Sequence, residues 1–184
     1  FYFDSIALPE GVTHIADCAF YECQLQSLPL PTSLTTLGLW VAGTALHLPA
    51  NLSSLAGHPC PDNTITVDAG NTNFRVDESG YLLNTAGDVL YAFAHLPTRA
   101  TSESQMPDTV KRIAPLAMYQ EDVRAIILPT GLVTIDTGAF AGSHGWFSTQ
   151  QMRSPVLPDS VTTIGDYAFF NTDFDGALPA NLTT

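Results

Sequence analysis

Short apolar runs alternate with polar positions along the chain, and most of these runs end in a proline. Three clear examples carry apolar residues at matching positions: Phe3-x-x-Ile6-x-Leu8, Leu25-x-x-Leu28-x-Leu30 and Val123-x-x-Ile126-x-Leu128. Alternation with a period of two is typical of a strand with one buried face. Proline ends such a strand because it lacks the amide donor that a ladder needs. The predicted strands are centred on Ile6–Leu8, Leu28–Leu30, Leu46–Leu48, Ile65–Val67, Ile126–Leu128 and Val156–Leu157.

The runs belong to a longer repeated phrase. Its prolines, at 9, 31, 49, 107, 129, 158 and 179, lie 22, 18, 58, 22, 29 and 21 residues apart. After the proline come a polar bend, a second apolar pair and, in three copies, an Ala-Phe pair. A repeat of about 20–30 residues indicates a solenoid in which neighbouring units bury each other's apolar sides. The rings of Phe20, Phe140 and Phe169 are therefore expected to lie in one continuous core.

This phrase resembles a known repeat family. The run Val161-Thr162-Thr163-Ile164-Gly165-Asp166-Tyr167-Ala168-Phe169 is similar to the BspA-like leucine-rich repeats of bacterial surface proteins. Cys23 stands at that family's closing cysteine position. The resemblance implies a leucine-rich repeat solenoid of the α/β type, curved, with one short parallel strand per repeat.

The 58-residue step is explained by an insertion. Asn73-Phe74, Asp77, Gly80-Tyr81-Leu82, Gly87 and Val89-Leu90 are similar to the β-hairpin insert of the same family. We expect 81–84 and 89–93 to pair antiparallel around Gly87, which can supply the positive φ of a short turn. The predicted organisation is a single repeat domain over 1–184, in which 64–105 holds one repeat strand and the hairpin. Since the chain opens inside a strand and stops within a phrase, it is interpreted as a fragment of a longer protein.

Composition narrows the classes of partner. The 184 residues carry a net charge of −12, with only six Lys and Arg. Such an acidic surface argues against nucleic acid and anionic membranes as partners. No apolar run is long enough for a membrane-spanning segment, and no signal-peptide pattern is present. An extracellular or cell-surface location is implied by the family resemblance.

The candidate chemistry is sparse, so no catalytic residue, metal site or cofactor is predicted. Residues 171–176 match the first half of a calcium loop, but Leu182 stands where a bidentate carboxylate is required, which favours a polar turn. Among the three cysteines, Cys18, Cys23 and Cys60, one disulfide is possible; the favoured interpretation makes Cys23 a small buried filler. Most of the five histidines are expected to be solvated.

Two surfaces are candidates for binding. If the strand register is right, one row of positions faces outward from the sheet: Ala7, Pro29, His47, Thr66, Ile127, Val156 and Ala177. His47 and Ile127 are the predicted contact residues of this row, which could equally be a sheet surface without a ligand. Trp146 and Phe147 form the second candidate, an aromatic loop that could also fold back on the neighbouring repeat. Arg124 and Arg153 complete the predicted hot spots, since arginine and aromatic side chains dominate interfaces.

The predicted function follows from the resemblance rather than from a motif. It is a non-enzymatic surface module for adhesion that contacts a protein or glycan macromolecule of a host or matrix. The alternative is a structural spacer that displays another domain and has no ligand of its own. The third hypothesis is an enzyme, which a cleft with clustered ionisable groups of perturbed pKa would favour.

Overall fold

The computed structural model describes residues 5–60, 64–93, 104–120, 126–143, 157–172, 174 and 176–183. The described residues fall into two compact units: the first within Phe1–Thr85 and Tyr91–Thr98, the second within Ala86–Leu90 and Arg99–Thr184. The single domain over 1–184 stays a prediction.

Short strands make up both units. Those of the first unit are β1 (His14–Ile15), β2 (Thr36–Leu37), β3 (Leu46–Leu48), β4 (Ser54–Leu55), β5 (Ile65–Val67), β6 (Phe74–Val76) and β7 (Tyr81–Asn84), with the last three residues of β8 (Val89–Phe93). Those of the second unit are the first two residues of β8, then β9 (Ser104–Gln105), β10 (Arg112–Ile113), β11 (Ile126–Ile127), β12 (Thr134–Ile135) and β13 (Thr163–Ile164).

The most regular ladders form at the second apolar pair of the phrase, after the proline. In the first unit β1, β2 and β4 pair in parallel, and their inward residues Ile15, Leu37 and Leu55 are buried. In the second unit the start of β8 pairs in parallel with β10, then β12 and β13 follow in the same register. No proline interrupts this part of the phrase, so every amide can join the ladder.

The strands predicted before the proline are only partly present. β3 pairs with β5, and β11 pairs with β9, both in parallel as expected. Strands at 6–8 and 28–30 were wrong, because a single parallel bridge between Ser5 and Ser27 replaces them. Pro29 removes a donor from the middle of the second segment. The prediction at 156–157 lies partly outside the described residues. One strand per repeat was also wrong, since β3 and β4 belong to the same repeat.

The α/β-type prediction is not confirmed, since the described residues contain no helix and thus none able to cross a membrane. Turns return the chain instead, and each places a left-handed residue three positions after the ladder's last apolar residue. Cys18, Trp40, Leu116 and Tyr167 have φ of 55, 45, 58 and 57° there, and Gly138 has 62°. A left-handed residue cannot continue an α-helix, so the turn closes the repeat.

Three phenylalanine rings were predicted to be buried, and one of them is. Phe140 is completely buried, and its ring stacks on Phe169 with centroids 5.4 Å apart. Phe169 and Phe20 are only half-buried, so their full burial was wrong. The first unit has a leucine core that includes Leu34, Leu37, Leu48 and Leu52, and Phe20 packs at its margin.

The strands of the predicted insert have the expected bounds, 81–84 and 89–93, and they are neighbours in one sheet. Gly87 has a positive φ of 77°. β7 also pairs antiparallel with β6. Asn71 positions the chain just before β6, because its side-chain amide donates to the backbone carbonyls of Pro49 and Leu52 at 2.7 and 3.1 Å.

Candidate functional site

The positions predicted to face outward, called the row here, are exposed in each unit wherever they are described. Alternation along β3 shows the cause, because Leu46 and Leu48 are buried while His47 points to solvent. The other exposed members of the row are Ala7, Pro29, Thr66, Ile127 and Ala177. Val156 lies outside the described residues. The predicted exposure is therefore confirmed for six of the seven positions, of which His47, Thr66 and Ile127 lie on strands.

A polar cluster occupies the first unit's part of the row. The parallel register of β3 and β5 sets His47 opposite Thr66, and the imidazole Nδ1 lies 2.9 Å from the Thr66 hydroxyl. The imidazole Nε2 lies 3.7 Å from Oδ2 of Asp68. The side chains of His47 and Asp68 are 61% and 45% exposed. We call His47, Thr66 and Asp68 the polar cluster.

Asp68 is present in the cluster because it replaces a proline. In the β3 repeat the residue after the strand is Pro49, whereas after β5 it is Asp68. The Asp68 amide donates to the Leu48 carbonyl at 2.9 Å, a bond that proline could not make. The Oδ1 atom of the Asp68 side chain accepts a hydrogen bond from the Gly70 amide at 2.7 Å. One carboxylate oxygen is therefore held by the turn, and the other faces His47.

The order of hydroxyl, imidazole and carboxylate is also that of acyl-transfer triads. Here the carboxylate is beyond hydrogen-bond distance of the ring. The imidazole and carboxylate are also largely open to water, which weakens the electrostatic effects that an enclosed active site exploits. The arrangement is suited to binding through hydrogen bonds. The described residues contain no group of three His, Cys, Asp or Glu side chains able to hold a metal ion.

In the second unit an apolar and a polar side chain stand side by side at the outward strand positions. Ile127 is 49% exposed and stands opposite Gln105, which is exposed as well. An exposed isoleucine on a sheet face can contact a partner, but a lone one is common on protein surfaces.

The remaining predicted contact residues, Trp146, Phe147, Arg124 and Arg153, lie outside the described residues. So do Asp173 and Asp175 of the partial calcium loop. Their assigned roles stay predictions.

The cysteines differ from the favoured interpretation. None of the three forms a disulfide; Cys18 and Cys23 are exposed, and Cys60 is the buried one. The thiol of Cys60 lies 2.6 Å from the Thr44 carbonyl. The filler role assigned to Cys23 was therefore wrong. Among the histidines, His14 and His47 are exposed as expected, whereas His58 is buried beside Cys60.

Exposed aromatic residues on the turns were missed by the sequence reasoning. Tyr167 and Phe170 are 72% and 63% exposed, and their rings meet edge to face at 5.9 Å. Tyr21 stacks on Trp40 with centroids 5.5 Å apart. The signal in the sequence is that Tyr167 and Phe170 flank the inward-facing Ala168-Phe169 pair. Residues on either side of an inward pair on a tight turn point away from the core.

Comparisons agree on the repeat architecture. The profile described as "BspA type Leucine rich repeat region" matches six copies, at residues 2–42, 90–146 and 144–176. No curated protein matches the chain. Three solved structures are similar over most of it. The pneumococcal vaccine antigen PcpA has a TM-score of 0.70 at 17% identity, over 92% of this chain and 48% of its own.

The other two structures are also of bacterial leucine-rich proteins. A leucine-rich repeat protein from Eubacterium ventriosum has a TM-score of 0.68 at 20% identity, over 98% of this chain and 59% of its own. A leucine rich cell surface protein from Faecalibacterium prausnitzii has a TM-score of 0.65 at 22% identity, over 98% and 55%. The chain thus spans about half the length of these proteins, and the likeness concerns the fold.

Proposed function

Because the chain belongs to the BspA type leucine rich repeat family, we propose that it is a non-enzymatic module of a bacterial cell surface. In this proposal it binds a protein or glycan macromolecule of a host or matrix. The observation that carries the proposal is that outward strand positions are open to solvent in both units, His47 in the first and Ile127 in the second, in a fold built of stacked repeats. Stacked repeats present extended surfaces that suit macromolecular ligands.

The surface location is supported by the similar structures. One of them is described as a cell surface protein and another as a vaccine antigen. The net charge of −12 further favours partners that are neutral or basic, because like charges repel at close range.

The sheet face and the Trp146 loop are the proposed contact regions. The purified 184-residue chain is tested against immobilised matrix proteins and glycans, followed by alanine variants at the six proposed contact positions: His47, Ile127, Trp146, Phe147, Arg124 and Arg153. At least one should weaken binding to the partner found by more than about 1 kcal/mol, roughly fivefold. The control is His14→Ala, which changes an exposed strand histidine outside the row.

Three results would change the proposal. If a partner binds and none of the six variants matters, the contact regions are misplaced. If nothing in the panel binds, the spacer alternative is favoured. Reproducible turnover of a small substrate that is lost on changing one His or Asp would replace both with an enzyme.

We also propose that β7 and β8 form the family's hairpin insert within a single repeat domain. The bounds of both strands and the positive φ of Gly87 support it. Cross-strand nuclear Overhauser contacts between the two strands would establish antiparallel pairing; their absence would contradict it.

A further inference from the structure

We infer that the polar cluster of His47, Thr66 and Asp68 is a recognition site for the hydroxyl groups of an uncharged glycan. The inference rests on the proposed binding function and names the ligand class for one part of the row.

The first argument is preorganisation. The imidazole of His47 is hydrogen-bonded to the Thr66 hydroxyl at 2.9 Å, and the Asp68 carboxylate lies near its other nitrogen at 3.7 Å, beyond hydrogen-bond distance. Asp68 is itself fixed by the Gly70 amide and by its own amide on the Leu48 carbonyl. A side chain that is already oriented loses less conformational entropy when it binds. Free surface histidines lack this arrangement.

The second argument is the chemistry of the groups. A sugar hydroxyl both donates and accepts hydrogen bonds, so it is best met by donors and acceptors side by side. The Thr66 hydroxyl donates to the Leu46 carbonyl at 3.5 Å and lies 2.9 Å from the imidazole Nδ1, and Oδ1 of Asp68 accepts the Gly70 amide. The groups left for a sugar are the imidazole Nε2, Oδ2 of Asp68 and the remaining lone pair of the Thr66 oxygen. All three groups lie on one face, and Thr66 is exposed as well. Vicinal hydroxyls of a pyranose can therefore be engaged together.

The third argument is the shape of the neighbouring surface. The outward positions of the preceding repeats are Ala7 and Pro29, both exposed and both short. Neither side chain is long enough to obstruct a sugar chain that approaches His47 from the side of these repeats. A bulky side chain at either position would block that approach.

The fourth argument is charge. Asp68 contributes a carboxylate to the cluster, and the chain as a whole carries a net charge of −12. Sulfated or sialylated glycans would bring like charge to this face, and at close range such a juxtaposition costs binding energy. The arrangement therefore selects for uncharged sugars.

The test uses the 184-residue chain with immobilised mannan and a β-glucan as neutral probes, and chondroitin sulfate and a sialylated glycan as anionic probes. Matrix proteins are included in the same panel. The variants are His47→Ala, Asp68→Asn and Thr66→Val, of which the last keeps the branched shape that suits a strand. His14→Ala is the matched control. Circular dichroism and the melting midpoint verify that every variant is folded.

We expect a neutral probe to bind better than both anionic ones. His47→Ala and Asp68→Asn should weaken that binding about tenfold or more, which corresponds to the loss of hydrogen bonds to a charged or oriented group. Thr66→Val should weaken it about threefold, and the His14 control should leave it unchanged.

The failures of the two proposals can be told apart. Binding to a matrix protein without binding to either neutral probe overturns this inference and leaves the proposed function in place. Preference for the anionic probes, or equal loss in the His14 control, also overturns the inference. Binding to nothing in the panel overturns both.

Discussion

Two successive repeats of the second unit have the same phrase but very different burial. In the inner repeat, 134–142, Ile135 and Phe140 are completely buried. In the outer repeat, 163–171, the corresponding Ile164 and Phe169 are only half-buried. At the left-handed turn position the inner repeat has Gly138, whereas the outer repeat has Tyr167, whose exposure is 72%.

The described neighbours of the two repeats differ as well. The inner repeat is hydrogen-bonded on both sides, since Gln120 donates to Ala141 and Gly142 donates to Phe170. Beyond the outer repeat the described residues are Phe174 and 176–183, and its ladder continues there through Thr183, which donates to Thr162. An apolar residue in a solenoid is therefore buried by the repeats that flank it, as expected where stability is a sum of repeat and interface terms.

The largest expected effect is the removal of the inner ring. Phe140→Ala should lower the free energy of unfolding by about 3–5 kcal/mol, because it leaves a cavity in a fully packed site. Phe169→Ala should cost clearly less, since that ring is half-exposed. Urea denaturation of both variants measures the difference; equal losses would show that the two repeats are packed alike.

A glycine of the outer repeat provides the second test. A Cβ at Gly165 would lie 2.5 Å from the Thr137 amide nitrogen, which is backbone of the inner repeat. Gly165→Ala should therefore cost about 1–3 kcal/mol through forced separation of the two repeats. The matched control is Gly131→Ala, where a Cβ would meet nothing within 4 Å. A neutral Gly165→Ala in thermal unfolding would mean that the repeats are not closely stacked.

A hydroxyl that joins the repeats is expected to contribute less. Ser160 Oγ lies 2.8 and 2.6 Å from the carbonyl oxygens of Thr130 and Leu132. Ser160→Ala should destabilise the protein by about 0.5–1.5 kcal/mol, the usual net value of one hydrogen bond. The control is Ser54→Ala, at an exposed strand position. A shift of the urea midpoint no larger than that of the control would show that the Ser160 hydroxyl does not stabilise the fold.

Side-chain hydrogen bonds also stabilise the first described repeat, where several apolar side chains are only partly buried. Hydrogen bonds from the Thr32 amide and hydroxyl, and then from Ser33, lower the pKa of the exposed Glu10 below its ordinary value of 4.5. The folded state favours the ionised form of Glu10. The stabilisation that these hydrogen bonds give to the folded state is therefore present above about pH 4.5 and is lost as the pH falls through the lowered pKa. Melting midpoints of the wild type and Glu10→Gln should converge in acid; a constant gap would contradict the assignment.

The smallest effect should come from the exposed turn. Tyr167→Ala is expected to change the free energy of unfolding by less than about 0.5 kcal/mol, as for most surface substitutions. A loss like that of Phe140→Ala, measured in the same urea series, would show that the outer repeat is covered in solution.

Local rules were sufficient for several features. The alternation in Leu46-His47-Leu48 predicted which side chain faces outward, because successive residues of a strand point to opposite sides. The bounds 81–84 and 89–93 followed from the resemblance of this stretch to the family's hairpin insert, together with a glycine that suits a short turn. The repeated Leu-Pro phrase indicated the solenoid, since a period of this length has few other structural meanings.

The candidate site needed more than the sequence. His47 was predicted to be exposed, yet its contacts with Thr66 and Asp68 depend on the parallel register between strands 19 residues apart. Thr66 was predicted only as one more outward position, and no prediction concerned Asp68. Trp146, Phe147 and both arginines lie outside the described residues, and the contact roles assigned to His47 and Ile127 stay predictions as well.

The chain by itself determined the repeat, its apolar faces and the positions that prolines exclude from ladders, because these depend on residues within one phrase. Only the tertiary structure decided where the ladders form, that Cys60 and not Cys23 is buried, and that Phe140 is enclosed while Phe169 is not. Pairing and burial are interactions between repeats that lie roughly 18–30 residues apart, and a phrase does not specify how completely its neighbours cover it.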